Sequence, residues 1–524
     1  MPVAQDRGKI VSALRAGAAL LRADLRQRMR TPRFWLLVAG FAALMWWCFP
    51  PASADFLTVS VASGTRGRYS SAWIGMVIAL MYSATLSLVG FYLVRGTVTR
   101  DLETRVWQLL VVTTMSRSAY LFAKWLSHLA VFLVLMSAGL VVGLVAQWVR
   151  AEDLHFDLFE LVKPVLLLTL PSLAITAALA VWFDLVPWLR RSAGNVLFYM
   201  LWVASLAIGV SQANHAPGAP LPWPGDPQGL LVAEHELAKS WVTIDEARGL
   251  SIGARMLEGK PPVLLDWDRW EADQAVVRVR GFWAALGGCL LLLAVPVLDR
   301  FAGHVSKRTE SKGAGARLRW LDAVLVPLRR TPTGSLVAAE LQLALRPRRA
   351  WWWLAMLATL VIQAVAPDKA MAVAIIVGWM LLLDVFARLI LREHETRTSA
   401  LVFSAAGVRG RLLAVRVLVA VGLAWAVTLP GLLRLAVIHP LAALAALFAG
   451  ASLAIWGLAC GALVRNARLF EVLALSLAYV GVQGGMLLNV LAAPADTLRW
   501  HALALPLAMA ILWLGWHKSL AASR

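Results

Sequence analysis

The feature that most constrains this chain is a series of apolar runs, most of them close to the roughly 17–25 residues that a helix needs to cross a bilayer. They lie near residues 34–49, 73–94, 126–149, 165–185, 195–210 and 282–298, and again near 351–366, 370–391, 412–436, 441–464, 470–490 and 501–516. Hydrophobic residues make up 60% of the 524 and mean hydropathy is +0.71, above the roughly half-apolar make-up of soluble domains. The expected fold class is an all-α polytopic membrane protein of about twelve transmembrane helices, arranged as a duplicated 6+6 unit.

The duplication is legible in the connections. Glu103-Thr104-Arg105 recurs as Glu395-Thr396-Arg397, and at the same offset of 292 Leu109 falls on Leu401, Arg117 on Arg409, Leu121 on Leu413 and Lys124 on Arg416. These residues are largely charged and sit between hydrophobic spans, so membrane insertion alone does not account for their repetition. Pro32-Arg33 matches Pro347-Arg348 at an offset of 315, so the first half carries extra residues in the loop after its first helix, 50–72. Three parts follow: a first half over 1–298, a linker over 299–334 and a second half over 335–524.

A formal charge of +20 could point to nucleic acid, but the Arg and Lys lie in connections between apolar runs, where they set topology. No nucleic-acid partner is expected. Arg22, Arg26, Arg28, Arg30 and Arg33 place the N-terminal region, and with it the connection after the second run, on the cytoplasmic side of a bacterial inner membrane, the C-terminus facing the same way. The acidic connection over 211–276 then faces outward. Ala52-Ser53-Ala54 resembles a signal cleavage site, but the basic region before it is too long for a signal peptide and the second half has an equivalent helix without such a site, so the first run is read as retained. Ahead of it, Val11, Leu14, Ala18, Leu21 and Leu25 follow helical spacing with Arg15, Arg22 and Arg26 on another face, as an interfacial helix does. Leu336, Glu340, Leu343 and Arg346 form a weaker counterpart.

Ionisable residues inside or at the edge of spans are functional candidates in a membrane protein. They are His128, Asp184, Asp384, Arg388, Arg434 and Glu471, with Asp384 and Arg388 one turn apart and able to pair. Cys48, Cys289 and Cys460 lie singly, without the spacing of a metal site or disulfide framework. No phosphate loop occurs, since Gly313-Ala314-Gly315-Ala316-Arg317 lacks both its spacing and its lysine. Neither a catalytic group nor a metal or cofactor site is expected on this chain.

The lead-in Leu25 to Arg30, the stretch Thr31-Pro32-Arg33-Phe34-Trp35, and the passage from Glu103-Thr104-Arg105 through Ser116-Arg117-Ser118-Ala119-Tyr120-Leu121 to Lys124-Trp125 resemble the permease subunits of ABC-2-type ATP-binding-cassette exporters. The resemblance implies two six-helix half-permeases fused in one chain, each with a short cytoplasmic coupling helix after its second span. It implies that Glu103, Thr104, Arg105 and Arg117, with Glu395, Thr396, Arg397 and Arg409, couple to separate ATPase subunits, two copies, on which MgATP is hydrolysed. The second half departs at Ala405-Ala406-Gly407-Val408, where the first has Thr113-Thr114-Met115-Ser116. Membrane lipid and a transported, amphiphilic substrate complete the expected partners. The competing reading is an ion-gradient-driven secondary transporter of twelve helices. A third is a membrane scaffold that passes ATPase work to an outer partner through 211–276.

Overall fold

The structure is a computed structural model that describes residues 2–54, 56–61, 64–104, 116–190, 192–212, 220–239, 250–257, 262–302, 319–348, 350–396, 398–404 and 408–464, then 470–471, 474, 477–478, 488, 490–491 and 493–521. It is mostly helical and divides into two units, Met1–Lys307 and Arg308–Arg524. Among the described residues seven helices are long and apolar enough to cross a membrane, or eight if the bent pair Gly410–Ala426 and Leu429–Ile438 is one span. Leu37–Trp47 and Leu197–Gly209, within the helices Pro32–Trp47 and Ser192–Gln212, and the short helix Ala350–Val365 also stand where spans were expected. The last has 16 residues, or about 24 Å against a hydrocarbon core of about 30 Å. Two thirds of the expected run 470–490 lies outside the described residues.

In the first unit, α1 (Pro2–Met29) precedes α2 (Pro32–Trp47), α3 (Ser71–Val94), α4 (Thr97–Glu103) and α5 (Arg117–Arg150). Then come α6 (Leu158–Leu185), α7 (Ser192–Gln212), α8 (Leu230–Ala238) and α9 (Gln274–Ala302). Their starts are set locally. Pro32 opens α2 where its missing N–H costs nothing. Ser70, Ser116 and Asp157 accept backbone N–H bonds at the first turns of α3, α5 and α6. Arg15, Arg22 and Arg26 of α1 are exposed, while Arg28 turns back to donate to the Leu93 carbonyl at the end of α3, 3.2 Å away.

Helix α6 follows Pro164 with a π-helical turn, Val165–Thr169. Such a turn frees backbone carbonyls, and buried Arg280 of α9 takes two of them, Leu167 at 3.2 Å and Leu168 at 2.6 Å, besides those of Asp226 and Pro227. Helices approach closely where glycine permits it. A Cβ on Gly139 would lie 2.3 Å from the Tyr82 hydroxyl, and one on Gly75 would lie 2.3 Å from the Leu161 carbonyl oxygen.

The all-α expectation needs one amendment. The two loops on the face of the unit opposite α1 build a four-stranded sheet in the order β3-β1-β2-β4, from β1 (Phe56–Val61), β2 (Thr65–Gly67), β3 (Leu250–Met256) and β4 (Val263–Leu265). β1 pairs antiparallel with β2 and β3, and β4 runs parallel to β2. The β-branched Thr58, Val59 and Val61 suit such a strand. The sheet is clamped to the end of α5 by Arg66, which meets Glu152 through two N–H···O bonds of 2.7 and 2.5 Å. Burial acts to raise the Glu152 pKa, but the Arg66 hydrogen bonds, the Tyr69 amide and the Arg66 charge outweigh it and bring the carboxyl below its ordinary range.

In the second unit, α10 (Arg319–Leu325) and α11 (Pro332–Leu345) lead into α12 (Ala350–Val365), α13 (Asp368–Met380), α14 (Leu383–Glu395), α15 (Ser399–Ser404) and α16 (Val408–Ala426). α17 (Leu429–Ile438), α18 (Pro440–Val464) and α19 (Pro494–Ala521) complete it. The run expected as one span over 412–436 is bent by 65° between α16 and α17. Pro430 has no N–H to continue α16. α18 packs along α19 and α14, with Gly461 against Ala387 and Gly515 against Ala462.

Candidate functional site

In both units the residues just before the repeated Glu-Thr-Arg passage form a buried ionic node. In the first, Lys124 of α5 is 1% exposed and its Nζ lies 2.8 Å from Asp24 of α1 and 2.8 Å from Asp101 of α4. Arg100 stands 3.8 Å from each of these carboxylates, and the Tyr120 hydroxyl donates to Asp101 at 3.0 Å. In the second, Arg416 of α16 is fully buried between Glu340 of α11, at 3.4 Å, and Glu393 of α14. Arg392 holds Glu340 at 2.8 Å.

The correspondence is residue by residue. At the offset of 292 Arg100 falls on Arg392, Asp101 on Glu393 and Lys124 on Arg416, while Asp24 and Glu340 come from the two lead-in helices. Each node gathers two acidic and two basic groups, one cation of each being buried and the other, Arg100 or Arg392, reaching towards solvent. That balance matters, because an unpaired buried ion costs several kcal/mol. Of these, Lys124 and Arg416 are the pair that the sequence repeat itself singles out. Asp24, Arg100, Asp101, Glu340, Arg392 and Glu393 do not stand out there as a cluster, although the offset pairs Arg100 with Arg392 and Asp101 with Glu393.

The node sits at the root of each repeated segment. Thr104 caps the end of α4, its amide and hydroxyl both donating to the Arg100 carbonyl at 2.8 Å. Thr396 does the same to Arg392, at 2.9 and 2.8 Å. Both threonines are exposed, as is Arg117 at the start of α5. Glu103 and Glu395 are the last residues of α4 and α14, and Arg409 lies in the first turn of α16, each described by its backbone alone. Arg105 and Arg397 fall outside the described residues.

The candidates from the spans hold structural places. Asp184, at the end of α6, accepts the backbone N–H of Gly96 at 2.8 Å and of Val98 at 3.0 Å, and so caps α4 where Gly96 turns with φ of 92°. His128 is buried, with Nε2 2.9 Å from the Thr97 hydroxyl. Arg434 donates to the carbonyls of Gln363 at 2.9 Å and Ala366 at 2.7 Å, closing the end of α12, and pairs with Asp368 at 3.1 Å. Asp384 does not take Arg388, which is exposed. It accepts from Arg348 instead, whose Nη1 donates to both carboxylate oxygens at 2.9 and 2.7 Å while the guanidinium lies over the Trp352 ring at 5.5 Å. Glu471 is buried beside the largely undescribed run.

No metal-binding cluster of three or more ligand-type residues occurs among the described residues. No protein-family model, curated protein or solved structure matches the chain.

Proposed function

We propose that the chain is the membrane-spanning permease subunit of an ATP-binding-cassette exporter, with two six-helix halves fused in one polypeptide. The observation that carries this reading is the duplicated node. A soluble partner pressing on the exposed residues around Thr104 and Arg117, or around Thr396, would push on a segment rooted through buried charges to the lead-in helix and to the third helix of that half. A simple topogenic loop has no need of such anchoring. Two ATPase subunits would supply MgATP hydrolysis, since the chain carries no phosphate loop, and Arg105 and Arg397 would meet them alongside the other repeated residues. The twelve-helix layout in a bacterial inner membrane completes the proposal, with eight long spans, three short apolar helices and the run 470–490. The scarcity of polar groups inside the spans favours an amphiphilic cargo.

The test is a mild-detergent pull-down of the tagged chain with mass spectrometry. Recovery of a stoichiometric protein with a phosphate loop, lost when Arg105→Glu and Arg397→Glu are combined, is the expected result. An intact chain that transports under an ion gradient and never retains an ATPase would instead establish the secondary transporter.

A further inference from the structure

On the sheet face of the first unit a cleft of about 810 Å³ opens between the residues that follow α5 and those that precede α9. This volume is within the roughly 300–1,000 Å³ of small-molecule sites. Its walls are fixed from below. The Ser71 hydroxyl accepts the Asp157 amide at 3.0 Å, and Gln147 donates to the carbonyls of Asp153 at 3.2 Å and His155 at 3.0 Å. Across the cleft, Glu160 accepts the Trp270 amide at 3.0 Å, and Ser70 donates to the Trp267 carbonyl at 2.7 Å. Both loops are therefore pinned to the ends of membrane helices.

The lining carries both signs of charge. Arg68, from the turn after β2, stands 3.1 Å from Asp266 and Arg269 stands 3.9 Å from Glu160, both at the rim of the cleft, while Asp268 and Glu271 are exposed without a hydrogen bond or ion pair among the described residues. Counted over the whole lining, five carboxylates (Asp153, Asp157, Glu160, Asp268, Glu271) face three permanent cations (Arg68, Lys163, Arg269), a balance of −2. At the lip the polarity reverses. Leu154, Phe156, Leu158 and Phe159 are 58%, 48%, 65% and 70% exposed, and Phe159 is itself part of the lining. These side chains stand where the spans Arg117–Arg150 and Leu158–Leu185 end, the level at which apolar surface meets lipid.

We infer that this cleft binds the headgroup of a zwitterionic membrane lipid bearing a primary ammonium and a phosphate, with the acyl chains lying over the apolar lip. The ammonium has three N–H donors to offer Asp268 and Glu271, and the phosphate suits the guanidinium groups of Arg68 and Arg269. The negative balance disfavours a headgroup of net negative charge, and the exposed lip requires an apolar tail, which a free zwitterion lacks. The site is independent of the exporter reading, since it lies within the first unit on the face away from α1 and the repeated segments.

The experiment places the purified full chain in nanodiscs of phosphatidylethanolamine and phosphatidylglycerol in equal amounts. Lipids retained after extraction are then read by native mass spectrometry. Phosphatidylethanolamine is expected to be retained about tenfold over phosphatidylglycerol, equivalent to about 1.4 kcal/mol. The double variant Asp268→Asn, Glu271→Gln, at two exposed positions where folding is not at stake, should lose that preference, and soluble phosphoethanolamine should not displace the bound lipid. Equal retention of the two lipids, or an unchanged preference in the double variant, overturns the proposal. So does displacement by phosphoethanolamine, which would make the ligand a soluble zwitterion. ATPase recovery in the pull-down should be the same for the double variant and the wild type, so either reading can fail without the other.

Discussion

The two ionic nodes solve one problem with different chemistry. The first uses the compact ammonium of Lys124, equidistant from Asp24 and Asp101, and completes Asp101 with the Tyr120 hydroxyl. The second uses the planar guanidinium of Arg416, and Leu412 stands where the repeat would place a tyrosine. There Glu393 Oε2 and Arg416 Nη1 are buried without a hydrogen-bond partner among the described residues. A Lys can be surrounded from any direction, whereas an Arg presents a fixed fork that neighbours must match. The duplicated element has kept its charges and its connections to three helices, while its completeness has diverged. The first node is therefore the more fully satisfied anchor, and the second has polar capacity left over.

The largest test of this difference removes the central cation. Lys124→Met leaves two carboxylates buried together, and loss of one partner from a buried pair costs about 3–5 kcal/mol. Arg416→Met is expected at the lower end of that range, because Arg392 still holds Glu340 at 2.8 Å. Melting temperatures in detergent should fall further for Lys124→Met. A larger fall for Arg416→Met would reverse the ranking of the nodes. Next in size, Lys124→Arg forces a wider group into a packed site at a cost of about 1–3 kcal/mol. Tyr120→Phe, which takes one hydrogen bond from a buried carboxylate, should cost about 1–2 kcal/mol and speed hydrogen exchange at the start of α5. No change in that exchange would mean the tyrosine does not complete the first node.

How much of this could be read beforehand depends on the range of each interaction. Hydrophobic runs and the 292-residue offset are properties of the chain itself, so the helices and the repeated pair Lys124 and Arg416 were legible. The partners were not, since Asp24 lies 100 positions from Lys124 and only the folded arrangement of α1 against α5 brings them together. Asp384 and Arg388 show the converse. Their one-turn spacing favoured a local pair, yet the helix presents Asp384 to Arg348 from the adjoining segment. The sheet is not legible beforehand because 50–72 reads as a loop from the change of offset and 211–276 from its length and acidity. The strand pattern in Thr58-Val59-Ser60-Val61 was present, but its partner Leu250–Met256 is nearly 200 positions away.

The first unit also carries an acid-sensitive clamp, in Arg66 and Glu152, and this separates its sheet face from its node. Glu152 has its folded pKa depressed, so its contribution is fully present above the unfolded carboxyl value of about 4.3 and is lost as pH falls through the lower folded value. Below that window the Glu152→Gln variant and the wild type should melt alike, and above it the wild type should melt higher. A gap that persists at the acid end would mean the clamp acts through shape and not through charge.

The smallest expected effect tests whether the repeated segments are equivalent where the nodes are not. Thr104 and Thr396 each add a hydroxyl bond to a carbonyl that already accepts their own amide, at 2.8 Å in both units. Both side chains are exposed, and water replaces an exposed hydrogen bond at little cost, so Thr104→Val and Thr396→Val should each cost about 0.5 kcal/mol or less. The reading is hydrogen exchange of the amides at the ends of α4 and α14, which should quicken by a similar small factor in the two variants. Equal changes would place the divergence wholly in the buried nodes. A larger change at Thr104 would show instead that the tighter first node extends its rigidity to the helix end, so that the two exposed segments differ in stiffness as well as in sequence.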